Sequence, residues 1–352
     1  MKRLMTIVLM SAAICFNALN AMALESAAYE GTAHTVEDNT YAMMNVLDWN
    51  KLEFDKTLVF SNMNSTSSGN LAGVFHINKQ NVLGLSWEGN LWSETSYNSL
   101  TGFYGWDKYA FTLNFTEYMS PAWYMDSDIC SDYKNLGGKA EFGYLINQMF
   151  AAKLGLGFSN VTGRINTSDI NYSNFTVGAE LVYNMKDEEN FKFKLLLGYD
   201  GDFAARKATV GNTQTETNYS KNVITNGAKL LYKSGNFSYG LNASIPISFV
   251  SGDGISKDVT FDFNLSNGFS VTLQPDKLLF NTGAEIMFPS IYLHENADSE
   301  TGIFYTTFYA GFSFILNNYI KVDLCTGLNP NNGITFDDLW HQNFNISLSA
   351  RF

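Results

Sequence analysis

The chain of 352 residues has three cysteines, five prolines and four histidines, and only 16% of it is charged. Each scarcity excludes something. So few cysteines cannot form the disulfide framework of a small secreted fold. Cys130 and Cys325 either pair in an oxidising compartment or stand as separate thiols, and spacing alone leaves both open. His34, His76, His294 and His341 fall in different segments with no i, i+4 pair and no His-x-His, so they form no zinc site. No glycine-rich phosphate loop follows a strand and opens a helix, and no cofactor is expected. The formal charge of −12 excludes nucleic acid as a partner. Beyond the N-terminal leader, no apolar run approaches the ~18 residues that a spanning helix needs.

At the N-terminus, Lys2 and Arg3 precede an apolar stretch from Leu4 to about Leu19, and Ala21-Met22-Ala23 offers a small-residue cleavage site. Residues 1–23 therefore read as a secretory signal peptide. A lipoprotein anchor at Cys15 is the weaker alternative, because Ile14 stands where a small residue is needed. Cleavage removes two positive charges, taking −12 to −14 for the exported chain. Residues 24–51 are polar, carry Glu25, Glu30, Glu37 and Asp38, and show no sustained period. They read as a periplasmic extension. Tyr41, Met43, Met44, Val46, Leu47 and Trp49 give this stretch an alternative role as an apolar plug.

What the chain has in abundance is aromatic and alternating sequence. Aromatics make up 15% of it, and from Leu52 onward apolar and polar residues alternate with a period of two, the mark of strands with one oily face. Phe191, Phe193, Leu195, Leu197 and Tyr199 alternate with Lys192, Lys194 and Asp200. Phe237 to Phe249 repeats the pattern against Ser238, Gly240, Asn242 and Ser244. Short polar turns, such as Asp107-Lys108, Ser234 to Asn236 and Asn317-Asn318, join strands into hairpins. Longer polar segments, near 120–135, 160–173, 201–220 and 329–340 among others, are expected to be loops. Short and long connections in strict alternation are the wiring of a transmembrane barrel.

The last twelve residues fix the class. Phe344, Ile346, Leu348, Ala350 and Phe352 alternate with Asn345, Ser347, Ser349 and Arg351, and the run ends on an aromatic. It resembles the C-terminal assembly signal of bacterial outer-membrane β-barrels, with Phe352 as its terminal residue. The resemblance implies an all-β, closed antiparallel transmembrane β-barrel over residues 52–352, set in the outer membrane, with the barrel assembly machinery and outer-membrane lipids as partners. Counting turns and loops gives about sixteen strands, or fourteen if the segments at 52–60 and 99–106 are not strands. A soluble β-sandwich also alternates, but no unit of ~100 residues repeats here.

Alternation also assigns the polar face. Its acidic positions are Glu88, Glu141, Glu180, Asp200, Asp258, Asp262, Glu285 and Asp323; its basic positions are Lys139, Lys153, Lys192, Lys194, Lys229, Lys321 and Arg351. Charges of both signs around a wall can hold water open and set a transverse field, or can simply pair and keep a lumen wet. Asp337, Asp338 and His341, with His294 and Glu295, are the best place to look for catalysis, yet no nucleophile is marked and no enzyme is expected. Asp126, Asp128 and Asp132 begin like a calcium loop, but Ser131 and Gly137 stand where that loop needs glycine and glutamate. The expected function is a passive or weakly selective pore for small solutes. The alternatives are a FadL-type carrier of hydrophobic compounds and a surface adhesin.

Overall fold

The computed structural model describes residues 47, 56–63, 68–78, 80–90, 96–120, 131–165, 168–188, 190–210, 213–253, 255–275, 277–288, 291–294, 300–301, 305–317, 320–328 and 344–351. Every regular element among them is a β-strand. In chain order these are β1 (Lys56–Met63), β2 (Ser68–Asn78), β3 (Asn81–Asn90), β4 (Ser96–Trp106), β5 (Tyr109–Ser120), β6 (Ser131–Leu145), β7 (Phe150–Ile165), β8 (Ser168–Glu188), β9 (Phe191–Val210) and β10 (Thr213–Ser234). They continue with β11 (Phe237–Gly252), β12 (Ile255–Phe261), β13 (Asn264–Gln274), β14 (Leu278–Met287), β15 (Ile291–His294), β16 (Glu300–Thr301), β17 (Tyr305–Asn317), β18 (Ile320–Leu328) and β19 (Phe344–Arg351).

All nineteen belong to one sheet, and every pairing is antiparallel. From β1 to β11 each strand pairs with the next in sequence. β1 pairs with β2 along one edge and with β19 along the other, Val59 standing opposite both Ala72 and Ser349. Toward the C-terminus the strands are interrupted. β11 pairs with β12 over Ile247 to Gly252 and with β13 over Phe237 to Ser244, with Asp262 and Phe263 between them. Asp262, expected on the polar face, lies in that interruption, where its backbone N–H donates to the Pro246 carbonyl at 3.0 Å.

The short turns fall where turn chemistry puts them. Asp107 (φ 49°) and Gly235 (φ 56°) take the left-handed backbone that a tight hairpin demands. The loops expected at 160–173 and 201–220 are corrected. β7 runs on to Ile165 and β8 starts at Ser168, while β9 runs to Val210 and β10 starts at Thr213. These segments carry apolar residues too sparsely for a sustained period of two, yet they stay in the sheet. The ladder of backbone hydrogen bonds needs no side-chain pattern.

Burial is inverted relative to a water-soluble sheet. On β7, Leu154, Leu156 and Phe158 are 62%, 55% and 55% exposed, whereas Gly155 and Gly157 between them are buried. The same alternation holds for Leu83 and Leu85 around Gly84, and for Leu195 and Leu197 on β9. Exposed apolar side chains on strand after strand exceed what a soluble monomer leaves to water. Toward the short turns, this apolar face carries stacked rings. Tyr104 lies 5.3 Å from Trp106, Trp106 5.6 Å from Tyr109, Tyr109 5.1 Å from Tyr144, and Phe150 4.7 Å from Tyr183. A belt of amphipathic aromatics is the arrangement found at a membrane–water boundary.

Candidate functional site

The polar face gathers charge from strands far apart in sequence. Register sets Glu141 opposite Gly155, Lys139 opposite Gly157, and Lys153 opposite Glu180. Asp200 stands opposite Gly178. Side chains that alternate along each strand therefore meet across four strands, β6 to β9. Lys139 Nζ lies 2.8 Å from Glu141 Oε1, Lys153 Nζ 2.9 Å from Glu180 Oε2, and Lys153 Nζ 3.8 Å from Glu141 Oε1. Thr112 Oγ1 donates to Glu141 Oε2 at 3.5 Å. The result is a ladder of alternating sign, Lys139–Glu141–Lys153–Glu180, with Asp200 beside it around a small hollow of ≈ 110 Å³.

Glycines stand across from the charged side chains. A Cβ on Gly178 would stand 3.0 Å from Asp200 Oδ1, and one on Gly155 would meet Glu141 Cγ at 3.5 Å. The ion pairs keep a fifth to three-tenths of their side-chain surface exposed, so they are wetted charges, not a sealed core.

The other expected positions are spread along the same face. Lys194 stands directly opposite Lys229, and Lys192 opposite Leu231, giving a basic strip on β9 and β10 nearer the short turns. Glu88 faces Asn70 and Ser99 in register; Glu285 faces Ser266 and Thr307; Asp258 faces Val250 and His294. None of these three joins the ladder. Lys321 shares a register row with Ser349, Asp323 with Ser313 and Ser347, and Arg351 with Thr57. The side chains of Lys321, Asp323 and Arg351 lie outside the described residues. So do Phe352, the Asp337–Asp338–His341 group, the Asp126–Asp132 segment, and the question of a Cys130–Cys325 bond.

Two features of this face were not read from the sequence. The first is that charge continues past Asp200. Asp202 is buried to 4% exposure and stands opposite Lys221; Asp202 falls in a segment expected to be a loop, though the alternation from Asp200 could have been extended to reach it. The second is an apolar patch on the otherwise polar face. Val74, Val82, Phe103, Ala110, Ala151 and Val182 form one buried cluster with Leu145 and Leu196 packed against it. Each residue comes from a different strand, β2 to β9 in order. Ala151 and Val182 flank the Lys153–Glu180 pair on its short-turn side. Near the chain's other end the face is sealed by hydrogen bonds instead: Ser270 Oγ donates to Asn281 Oδ1 at 2.8 Å, and Asn281 Nδ2 donates to Ser313 Oγ at 2.8 Å.

No protein-family model matches the chain, and no curated protein matches it. Among solved structures, it is similar to CdiB from Escherichia coli, at 11% identity and a TM-score of 0.48 over 86% of this chain and 63% of that one. It is also similar to CdiB from Acinetobacter baumannii, at 12% identity and a TM-score of 0.45 over 85% and 60%. A third is outer-membrane expressed OmpT of Vibrio cholerae, at 13% identity and a TM-score of 0.38 over 84% and 95%. The chain thus spans less than two thirds of the length of either CdiB. The proteins it is similar to are bacterial outer-membrane β-barrels, the class that the C-terminal alternation resembles.

Proposed function

We propose that this chain forms a closed barrel of sixteen strands in the bacterial outer membrane, and that its polar face lines an aqueous passage for small solutes. Closure is supported by β1 pairing with both β2 and β19. The count of sixteen follows if β12 with β13, β14 with β15, and β16 with β17 are each one interrupted strand, which their shared neighbours favour. A barrel of ~16 strands is wide enough to leave water inside, whereas ~8 strands fill with side chains.

The observation that carries the reading is the inverted burial: exposed leucines and phenylalanines on one face, and the Lys139–Glu141–Lys153–Glu180 ladder on the other. In a membrane the apolar face meets lipid, and the charged face can only meet water. The partners are then outer-membrane lipids, the assembly machinery that reads Phe352, and the permeating solute. The passage selects by charge and size, with no chemical step. A carrier of hydrophobic compounds is the second reading, and the apolar patch favours it, because an oily solute could rest there.

The basic strip provides the test. Replacing Lys192 and Lys194 together by Glu reverses its sign, and the ions in a narrow wall feel that change with little bulk screening. In a planar bilayer under a KCl gradient, the reversal potential should move toward cation selectivity with no loss of folded protein. Silence from folded protein, with residues 24–51 present or removed, would refute the pore reading.

A further inference from the structure

Register carries one row of outward side chains across β7 to β11: Phe158, Phe175, Phe203, Ser220 and Ser251. Two residues further from the short turns, the next outward row is Ser173 on β8, Ala205 on β9 and Asn218 on β10, with Asp253 just past β11. Both rows line one hollow of ≈ 540 Å³. Phe158, Phe175 and Phe203 are 55%, 46% and 42% exposed, so the hollow opens on the apolar, outward side of the wall. Asn174 and Ala204 stand between the two rows and are buried toward the polar face, so what they lend the hollow is a backbone floor.

A ring that leans away keeps the space open. A Cβ on Gly201 would stand 2.9 Å from Phe203 Cε2 and 2.8 Å from Tyr199 Oη, so the Phe203 ring lies back over that glycine, toward the middle of the wall. On its other side Ala205 fills little. The polar edge is fixed by its own hydrogen bonds. Ser220 Oγ lies 2.8 Å from Ser251 Oγ, and the N–H and Nδ2 of Asn218 donate to Asp253 Oδ2 at 2.9 and 3.3 Å. Asn160 Nδ2 donates to Ser173 Oγ at 3.0 Å.

Depth matches a membrane boundary. Phe203 stands twelve residues after Phe191, where β9 leaves its short turn. At a rise of about 3.3 Å per residue and a tilt near 45°, it lies about 28 Å along the membrane normal, at the far rim of a ~25 Å apolar band. Short turns face the periplasm in a barrel of this wiring, so the hollow lies at the outer leaflet.

Its chemistry selects the headgroup. The rings on the membrane side suit acyl chains, and the far edge offers hydroxyls, an amide and a carboxylate. Among the described residues Asp253 is the one charged member of the lining. A phosphate beside it would be repelled, whereas sugar hydroxyls donate to a carboxylate in charge-assisted bonds. The volume falls within the ~300–1,000 Å³ of small-molecule sites.

We propose that this hollow binds one glycolipid of the outer leaflet, its acyl chains along Phe158, Phe175 and Phe203 and its uncharged sugar on Asn218 and Asp253. The inference stands apart from the pore reading, because it needs only the outer-membrane setting and the outward face.

The test uses the full exported chain folded in lauryldimethylamine oxide, with folding checked by heat-modifiable mobility. The probe is dodecyl maltoside, an uncharged sugar on a single chain, and dodecylphosphocholine carries the same chain on a phosphate. In native mass spectrometry the wild type should retain one maltoside in preference to the phosphocholine. Ala205→Trp fills the hollow from an outward position, where an aromatic suits the boundary, and should weaken maltoside retention by about tenfold or more. Asp253→Ala lies outside the strands and removes the carboxylate; it should lower retention of the maltoside and leave that of the phosphocholine unchanged. Equal retention of the two probes by the wild type would overturn the sugar assignment. Maltoside held as well by Ala205→Trp as by the wild type would show a general detergent belt and overturn the site. If Ala205→Trp does not fold, unchanged maltoside retention by Asp253→Ala overturns the proposal by itself.

Discussion

Adjacent residues on β9 separate the two faces of the wall in one experiment. Leu197 is 50% exposed on the apolar face, opposite Leu181 and Asn226. It stands six residues after Phe191, where the strand leaves its short turn. At a rise of about 3.3 Å per residue and a tilt near 45°, it lies about 14 Å along the membrane normal, the middle of a ~25 Å apolar band. Arginine at such a depth costs about 2–4 kcal/mol, a factor of roughly thirty to a thousand in the folding equilibrium. Gly198 points the other way, opposite Glu180 and Thr225, on the edge of the hollow that Glu180 and Asp200 also line. A Cβ there meets Thr225 Cβ at 3.7 Å and two backbone oxygens at 3.9 and 4.0 Å, all ordinary contacts. A guanidinium at this position reaches carboxylates in a wet site, and the strand loses a glycine, so Gly198→Arg should cost under about 1 kcal/mol. The measurement is a urea titration of each variant folded into lipid vesicles, followed by tryptophan fluorescence and heat-modifiable mobility. Equal losses for Leu197→Arg and Gly198→Arg, or a larger loss at Gly198, would refute the assignment of faces.

Two further outcomes follow from the same structure. Asn281, 2% exposed, links Ser270 and Ser313 across three strands; Asn281→Ala removes both of these hydrogen bonds and should cost about 1–3 kcal/mol in the same titration, a change below about 0.5 kcal/mol meaning that the link is dispensable. Deleting Phe352 should leave the protein in the periplasm or degraded, and outer-membrane protein at wild-type yield would show that the terminal aromatic is not an assembly signal.

The strands, their oily and polar faces and the short turns were legible in the sequence because each is local. Alternation along Phe191 to Asp200 fixes which side chains share a face, and the turn at Asp107-Lys108 needs only its own backbone preferences. The polar-face positions of Lys139, Glu141, Lys153 and Glu180 were legible for the same reason. Their meeting was not, since Lys153 opposite Glu180 is a matter of register between strands twenty-seven positions apart, and alternation within a strand says nothing about its neighbour's offset. Extension of β7 to β10 through segments expected to be loops was hidden too. There the backbone ladder holds the sheet whether or not the side chains keep a period of two. The apolar patch was the least legible feature. One valine, phenylalanine, alanine or leucine per strand is unremarkable within its own segment, and only the pairing of β2 to β9 brings the eight together. Leu47 was visible as an apolar residue in a polar stretch, but what it packs against was decided by tertiary structure, because its seat is assembled from strands that begin as far as 144 positions along the chain from it.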